Sequence, residues 1–334
     1  MKSKIWIIIA AMTFLASCSI NELDPAVSNE KDIATNIRNL EDLQGIANGI
    51  YDRMTVTNYY GRNQIINGEV RADNCFANGK SGRFLNEAAM KVSPDASNGP
   101  WDAMYAVIAS CNIIIGQDPA KLEGDQQKIR QVIGQAYLAR ALAHFDLLKL
   151  IRQQHTAGNL GIPYIKEYVS VQTAPVRNSV DENRAAIYED IEAGLALMTE
   201  TNNPKTKQQI STFTGQALKA RIALYFKEWE KAKTASLAVI NSGKFPVVDS
   251  ANFVASWKTK NSSNSIFELA FSTSDNLGIN GLQNIYRGSM YGDIEVLDNL
   301  LTVFDEKDVR KSAGMFGYET VSGVKRLRNL GKYP

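Results

Sequence analysis

Histidine is nearly absent. His144 and His155 are the only two in 334 residues, and neither belongs to a ligand spacing such as H-E-x-x-H. No metal site and no cofactor are therefore expected. A G-x-S-x-G elbow is also missing, which removes the usual serine-hydrolase arrangement. Charge of one sign is not in excess: 37 Lys+Arg face 35 Asp+Glu, and no run of basic residues occurs. Nothing in that balance favours nucleic acid or anionic lipid as a partner. Long apolar runs are lacking too. Ile5 to Leu15 is too short to span a bilayer. The remaining composition, 44% apolar and 22% charged, is that of a globular chain with a large core.

What is present begins at the N-terminus. Lys2 and Lys4 precede the apolar Ile5–Leu15 stretch, and Leu15-Ala16-Ser17-Cys18 has the form of a bacterial lipobox. Residues 1–17 read as a lipoprotein signal peptide and Cys18 as the lipidated first mature residue, carrying palmitate-type acyl chains that hold the protein on a membrane. Removal of the two lysines brings the formal charge from +2 to zero. Residues 18–38, polar with a proline, read as a tether. Cys75 and Cys111 then remain. An exported protein can oxidise them, but buried thiols are the preferred reading.

The chain is organised around a helix expected over 129–152, IRQVIGQAYLARALAHFDLLKLIR. Its apolar positions cover two adjoining sides, so more than one neighbour must pack on it, and Gly134 and the alanines let them come close. That is the demand of stacked helix pairs. Further helices are expected from Leu43 to about Met54, from Trp101 through Ile115, and from Ser179 onward, where Ser179 and Glu182 have capping-box spacing. Ala220 and Ala232, with Glu228-Trp229 between them, are spaced as in a tetratricopeptide helix pair. The fold class is mainly α, a tetratricopeptide-like superhelix with inserted loops and a few short strands. One strand is expected at Ser265–Phe271, where Ile, Glu and Ala alternate with Phe, Leu and Phe.

Two stretches rich in Gly, Asn and Tyr, near 59–100 and 250–295, break the helical pattern and are the candidate binding loops. Long loops without elements of their own are commonly functional. Their aromatic and polar residues include Tyr59, Tyr60, Arg71, Asp73, Asn74, Arg83, Phe84, Trp257, Tyr286, Arg287 and Tyr291. Rings suit sugar faces, and Asn, Asp and Arg suit hydroxyls. Trp101 and Tyr105 have helical spacing and read as core, and His144 reads as a structural histidine. The Asp190/Glu192 and Asp305/Asp308 pairs read as solvated faces rather than glycosidase carboxylates. Asn74–Ser81 ends in G-K-S but lacks the first glycine and a preceding buried strand, so it is not a phosphate loop.

Several segments carry a family resemblance. Arg140-Ala141 with Phe145-Asp146-Leu147 resembles the R-A-x-x-x-F-D-L pattern of the SusD/RagB family. Glu69–Asn74, Trp101/Tyr105/Ile108/Asn112, Gly161-Ile162-Pro163, Arg177–Glu182, the stretch around Trp229 and Asp305–Arg310 resemble other family segments in the same order. The resemblance implies a surface-exposed outer-membrane lipoprotein without enzymatic activity. It would capture oligosaccharide for a SusC-like TonB-dependent transporter; peptide or glycoprotein uptake, a surface glycosidase and a protein-binding scaffold are the alternatives. Family glycan contacts vary between members, so none is assigned by matching. Members usually run on beyond the equivalent of Pro334, and truncation at the C-terminal side is expected.

Overall fold

A computed structural model describes residues 36–91, 98–153, 158–169, 174–288 and 290–333. The lipobox with Cys18 and most of the tether lie outside the described residues. Among the described residues eleven α-helices follow in chain order: α1 (Leu40–Thr55), α2 (Asn63–Val70), α3 (Leu85–Ala88), α4 (Asn98–Ile115), α5 (Gln126–Ile151), α6 (Val180–Leu197), α7 (Thr212–Tyr225), α8 (Trp229–Ile240), α9 (Ser250–Ser256), α10 (Leu282–Tyr286) and α11 (Leu300–Val303). Four short strands accompany them: β1 (Cys75–Ala77), β2 (Ile294–Val296), β3 (Phe316–Val321) and β4 (Val324–Asn329). The mainly helical reading holds.

α5 is the centre. It packs against α1, α4 and α6 and touches α7, and 18 of its 26 residues are buried. α4 bridges α1 to α5, α6 follows α5, and α7 pairs with α8, so the stack consists of three helix pairs. α5 and α6 cross through glycine. A Cβ on Gly134 would lie 2.7 Å from the Gly194 carbonyl, and one on Gly194 would lie 2.9 Å from the Gly134 carbonyl. Side chains larger than hydrogen cannot occupy either position without parting the helices. The helix starts are written locally. Asn39 accepts from the Asp42 amide, Asp125 from Gln127 and Lys128, and Ser179 and Glu182 close the anticipated capping box.

The family-like segments converge on a polar interior. Arg140 binds Asp190 through two parallel bonds, Nε to Oδ2 at 2.8 Å and Nη2 to Oδ1 at 2.6 Å. Its Nη1 reaches Asn112 Oδ1 and the Lys166 carbonyl. Tyr164 donates to the same Asp190, and Asn112 donates to the Ile165 and Glu167 carbonyls. Both ends of the ion pair are buried, so loss of one partner would strand a charge at a cost of about 3–5 kcal/mol. Asp190, expected on a solvated face, is instead among the most buried residues of the chain. Helical charge density alone did not reveal that its partner lay on another helix.

His144 is structural, as expected. The Ile165 amide donates to its Nε2, so Nδ1 carries the proton and donates to the Arg140 carbonyl. The ring stacks on Tyr164 at 3.7 Å. Cys75 and Cys111 are both buried free thiols, and burial, with Glu69 alongside, pushes the Cys75 thiol up to about 12.

The expected strand at 265–271 is not one. Among the described residues its backbone–backbone bonds are Glu268 N–H to the Lys207 carbonyl and the turn bond from Ser265 N–H to the Ser262 carbonyl. No second strand lies beside it, so alternation without a ladder partner produces a lining rather than a sheet. Within the 59–100 stretch, residues 63–70 form a helix despite their asparagines and glycine, with Ile66 and Val70 buried on α2.

Burial and the nearby Arg140 charge depress the His144 pKa from 6.5 to about 3. The unfolded chain therefore takes up this proton first on acidification. Stability should be level above about pH 6.5 and decline by up to about 1.4 kcal/mol per pH unit below it. Urea unfolding at pH 7, 5.5 and 4.5 would measure the slope, and His144→Gln should flatten it. An unchanged slope in that variant would place the acid sensitivity elsewhere.

Candidate functional site

The two loop regions are one body. β1 and β2 pair antiparallel, with Cys75 opposite Val296, Phe76 opposite Glu295 and Ala77 opposite Ile294. Around them Ile66, Val70, Phe84, Ile285, Tyr286 and Leu327 form an apolar cluster. β3 and β4 form a hairpin whose Ser322 and Gly323 both have positive φ, as a two-residue primed turn requires.

Most of the expected site residues make contacts within this body. Arg83 binds buried Asp293 at 2.6 Å and lies 3.8 Å over the Tyr291 ring. It also donates to Asn280, as does Arg62. Phe84 is buried, with the Arg62 and Arg83 guanidinium groups near its ring. Tyr286 is fully buried and stacked on Tyr333 at 5.3 Å. Arg287 binds Glu319, and Lys80 of the G-K-S decoy reaches the Gly288 and Met290 carbonyls. Tyr59 is buried, and Tyr59 and Tyr60 both donate to Asp146 of α5. Arg71, Asp73 and Asn74 follow α2 on the approach to β1; Asp73 and Asn74 are exposed, and the Asn74 carbonyl accepts from Leu297.

Of the eleven loop residues named from the sequence, Tyr60 and Trp257 line the principal cleft. That cleft has two lobes sharing Leu269, Phe271 and Tyr333. One, of about 610 Å³, lies between Tyr60, Gly61 and Ile65 on one side and Phe267, Phe271 and the Asn276–Asn284 turn on the other. Arg221 of α7 enters it. The second, of about 590 Å³, runs past Phe253, Trp257, Lys260, Glu268 and Lys332. Trp257 and Phe271 are each 38% exposed and open to the solvent. A Cβ on Gly61 would stand 2.1 Å from the Thr55 carbonyl and 2.6 Å from Leu277, so glycine lets the turn close over α1.

Glu268 is the one carboxylate lining either lobe, and it accepts from the Asn261 and Ser262 amides. A glycosidase needs two facing carboxyl groups. Among the described residues no three His, Cys, Asp or Glu side chains gather as a metal-binding group. Trp101 and Tyr105, expected in the core, are only half-buried; they line a separate cavity of about 340 Å³ with Tyr168 and Pro163. Phe267, Phe271, Arg221, Lys332 and Tyr333 were not singled out in the sequence. The alternation at 265–271 was the one available signal, since it put Phe267, Leu269 and Phe271 on one side.

A sequence model of a SusD-like family, described as starch-binding and associating with the outer membrane, matches residues 23–224. The chain belongs to the SusD family. SusD-like proteins P38 and P2 of Formosa agariphila are 27% and 28% identical over 250 residues, which is 72% of this chain but 45% and 46% of theirs. The chain thus spans about half the length of the curated relatives it matches. A SusD superfamily protein from Bacteroides vulgatus superposes with a TM-score of 0.79 at 25% identity, covering 88% of this chain and 69% of that one. A surface glycan-binding protein A from Bacteroides fluxus gives a TM-score of 0.67 at 21% identity over 88% and 68% of the two chains, a likeness of fold. The strongest motif residues of this SusD-family chain, Arg140 and Asp146, are architectural.

The buried Tyr286 hydroxyl has no hydrogen-bond partner among the described residues. Tyr286→Phe should therefore leave stability unchanged or raise it by about 1 kcal/mol. Chemical denaturation would check this; a loss of similar size would mean that the hydroxyl has a partner.

Proposed function

We propose that this protein is a cell-surface saccharide-binding lipoprotein that holds an oligosaccharide in the two-lobed cleft without altering it. The observation that carries the reading is the row of rings along that cleft, Phe267, Phe271, Tyr333 and Trp257, with Asn276, Gln283 and Asn284 beside it. Rings accept the apolar faces of sugars, and amides pair with hydroxyls, which is how a concave site combines affinity with orientation. The family description, starch-binding and associated with the outer membrane, supports it. Delivery to a SusC-like TonB-dependent transporter belongs to the same reading, as does anchoring through Cys18 behind a signal over residues 1–17 and a tether over residues 18–38. No helix among the described residues is long and apolar enough to cross a membrane, so attachment in this reading rests on the acyl chains.

Calorimetry with a panel of oligosaccharides is the direct test. A binding sugar should lose about tenfold in affinity, near 1.4 kcal/mol, on Trp257→Ala or Tyr333→Ala. Full affinity in both variants would move the site elsewhere, and binding of peptides alone would favour a peptide-uptake role. Metabolic labelling with a palmitate analogue tests the anchor. Label should enter the native protein and be lost in Cys18→Ala; label retained in that variant would remove the assignment.

A further inference from the structure

The cleft carries a charge imbalance that the chain as a whole does not. Lys258, Lys260 and Lys332 line one lobe and Arg221 the other, while Glu268 is the only carboxylate among the lining residues. These cations come from three separate places, α7, the segment after α9 and the segment after β4, so no basic run marks them in the sequence. Among the described residues, Arg221, Lys258 and Lys260 have no carboxylate within ion-pair distance, and Lys332 has Glu69 only at 3.9 Å. Glu268 is already held by the Asn261 and Ser262 amides, with the Lys207 ammonium close enough to feel its charge. One carboxylate against four cations leaves the lining with a net positive charge.

The geometry joins these charges to the rings. Lys332 Nζ lies 5.7 Å from the Trp257 ring centre and 5.8 Å from that of Tyr333. Lys260 Nζ donates to the Phe271 carbonyl at 3.2 Å and keeps protons for another acceptor. A sugar stacked on Trp257 or Tyr333 would thus place its ring substituents beside an ammonium group. A neutral sugar can use these cations only as donors to its hydroxyls, whereas a carboxylate or sulfate gains stronger charge-assisted bonds there.

We propose that the saccharide bound in this cleft is anionic, bearing carboxylate or sulfate groups. The inference rests on the cleft being the saccharide site. Cations partly shielded by low-dielectric walls also raise the local concentration of an anionic ligand.

Calorimetry on the full chain with matched pairs tests it: oligogalacturonate against its methyl ester, and a sulfated galactan oligosaccharide against its desulfated form. The charged member of at least one pair should bind about tenfold more tightly. That preference should shrink as salt shortens the screening length from about 30 Å at 0.01 M to about 3 Å at 1 M. In Lys258→Gln/Lys332→Gln, folded as judged by circular dichroism, the ratio of charged to neutral affinity should fall several-fold. Preference within the first pair alone assigns carboxylate, and within the second alone sulfate. Equal binding of charged and neutral members overturns the proposal while leaving the saccharide reading intact. Absence of binding by any saccharide, neutral or charged, removes both.

Discussion

The stack depends on the buried pairing of Arg140 with Asp190. It links the central helix to its partner, and through Asn112, Tyr164 and the Lys166 carbonyl it fixes both α4 and the chain around residues 164–166. A lone guanidinium in that interior would be strongly unfavourable. Each neighbour that satisfies it is thereby held in one register. Asp146, two turns further along α5, does the same for the chain leaving α1 by accepting from Tyr59 and Tyr60. Burial, together with that carboxylate, holds both tyrosine pKa values well above their ordinary range. The hydroxyls therefore stay protonated as donors.

The cleft is built outward from that interior. Tyr60 bonds to Asp146 at one end and lines the first lobe at the other. Leu142 of α5 and Arg221 of α7 line it together with residues of the 267–284 segment. A ligand here would therefore lie on a rigid helical support, which limits the ordering cost of binding. The aromatic rings belong to inserted segments, where they can differ without disturbing the repeat.

Much of the helical stack was legible in the sequence because its signals are local. The two apolar sides of α5, the Ser179/Glu182 cap and the Ala220/Ala232 spacing each depend on residues within a few turns. The cleft was not legible for the opposite reason: its lining is drawn from α2, α5, α7, the 265–284 segment and the residues after β4. Arg83, Phe84 and Tyr286 illustrate the difficulty. Aromatic and arginine side chains in a polar loop are what a sugar site needs, but they are also what ties one loop to another. Nothing in a single sequence distinguishes the two uses before Asp293 and Tyr291 are placed beside Arg83. Asp190 failed in the same way, as a charged helix residue whose partner came from another helix.

The pairing of β1 with β2 has a consequence for how the molecule is made. Asn78, just beyond β1, bonds to Glu295 in β2 across a sequence separation of 217, whereas the partners within each helix pair are far nearer in the chain, α7 and α8 being joined by residues 226–228 alone. Contacts of such long range bear a larger chain-entropy cost and form slowly. During synthesis the helical pile can assemble while the first strand still waits for its mate. The β1–β2 body around the cleft then closes after the helix pairs, and defects in that step would leave a sound scaffold with an unfinished mouth.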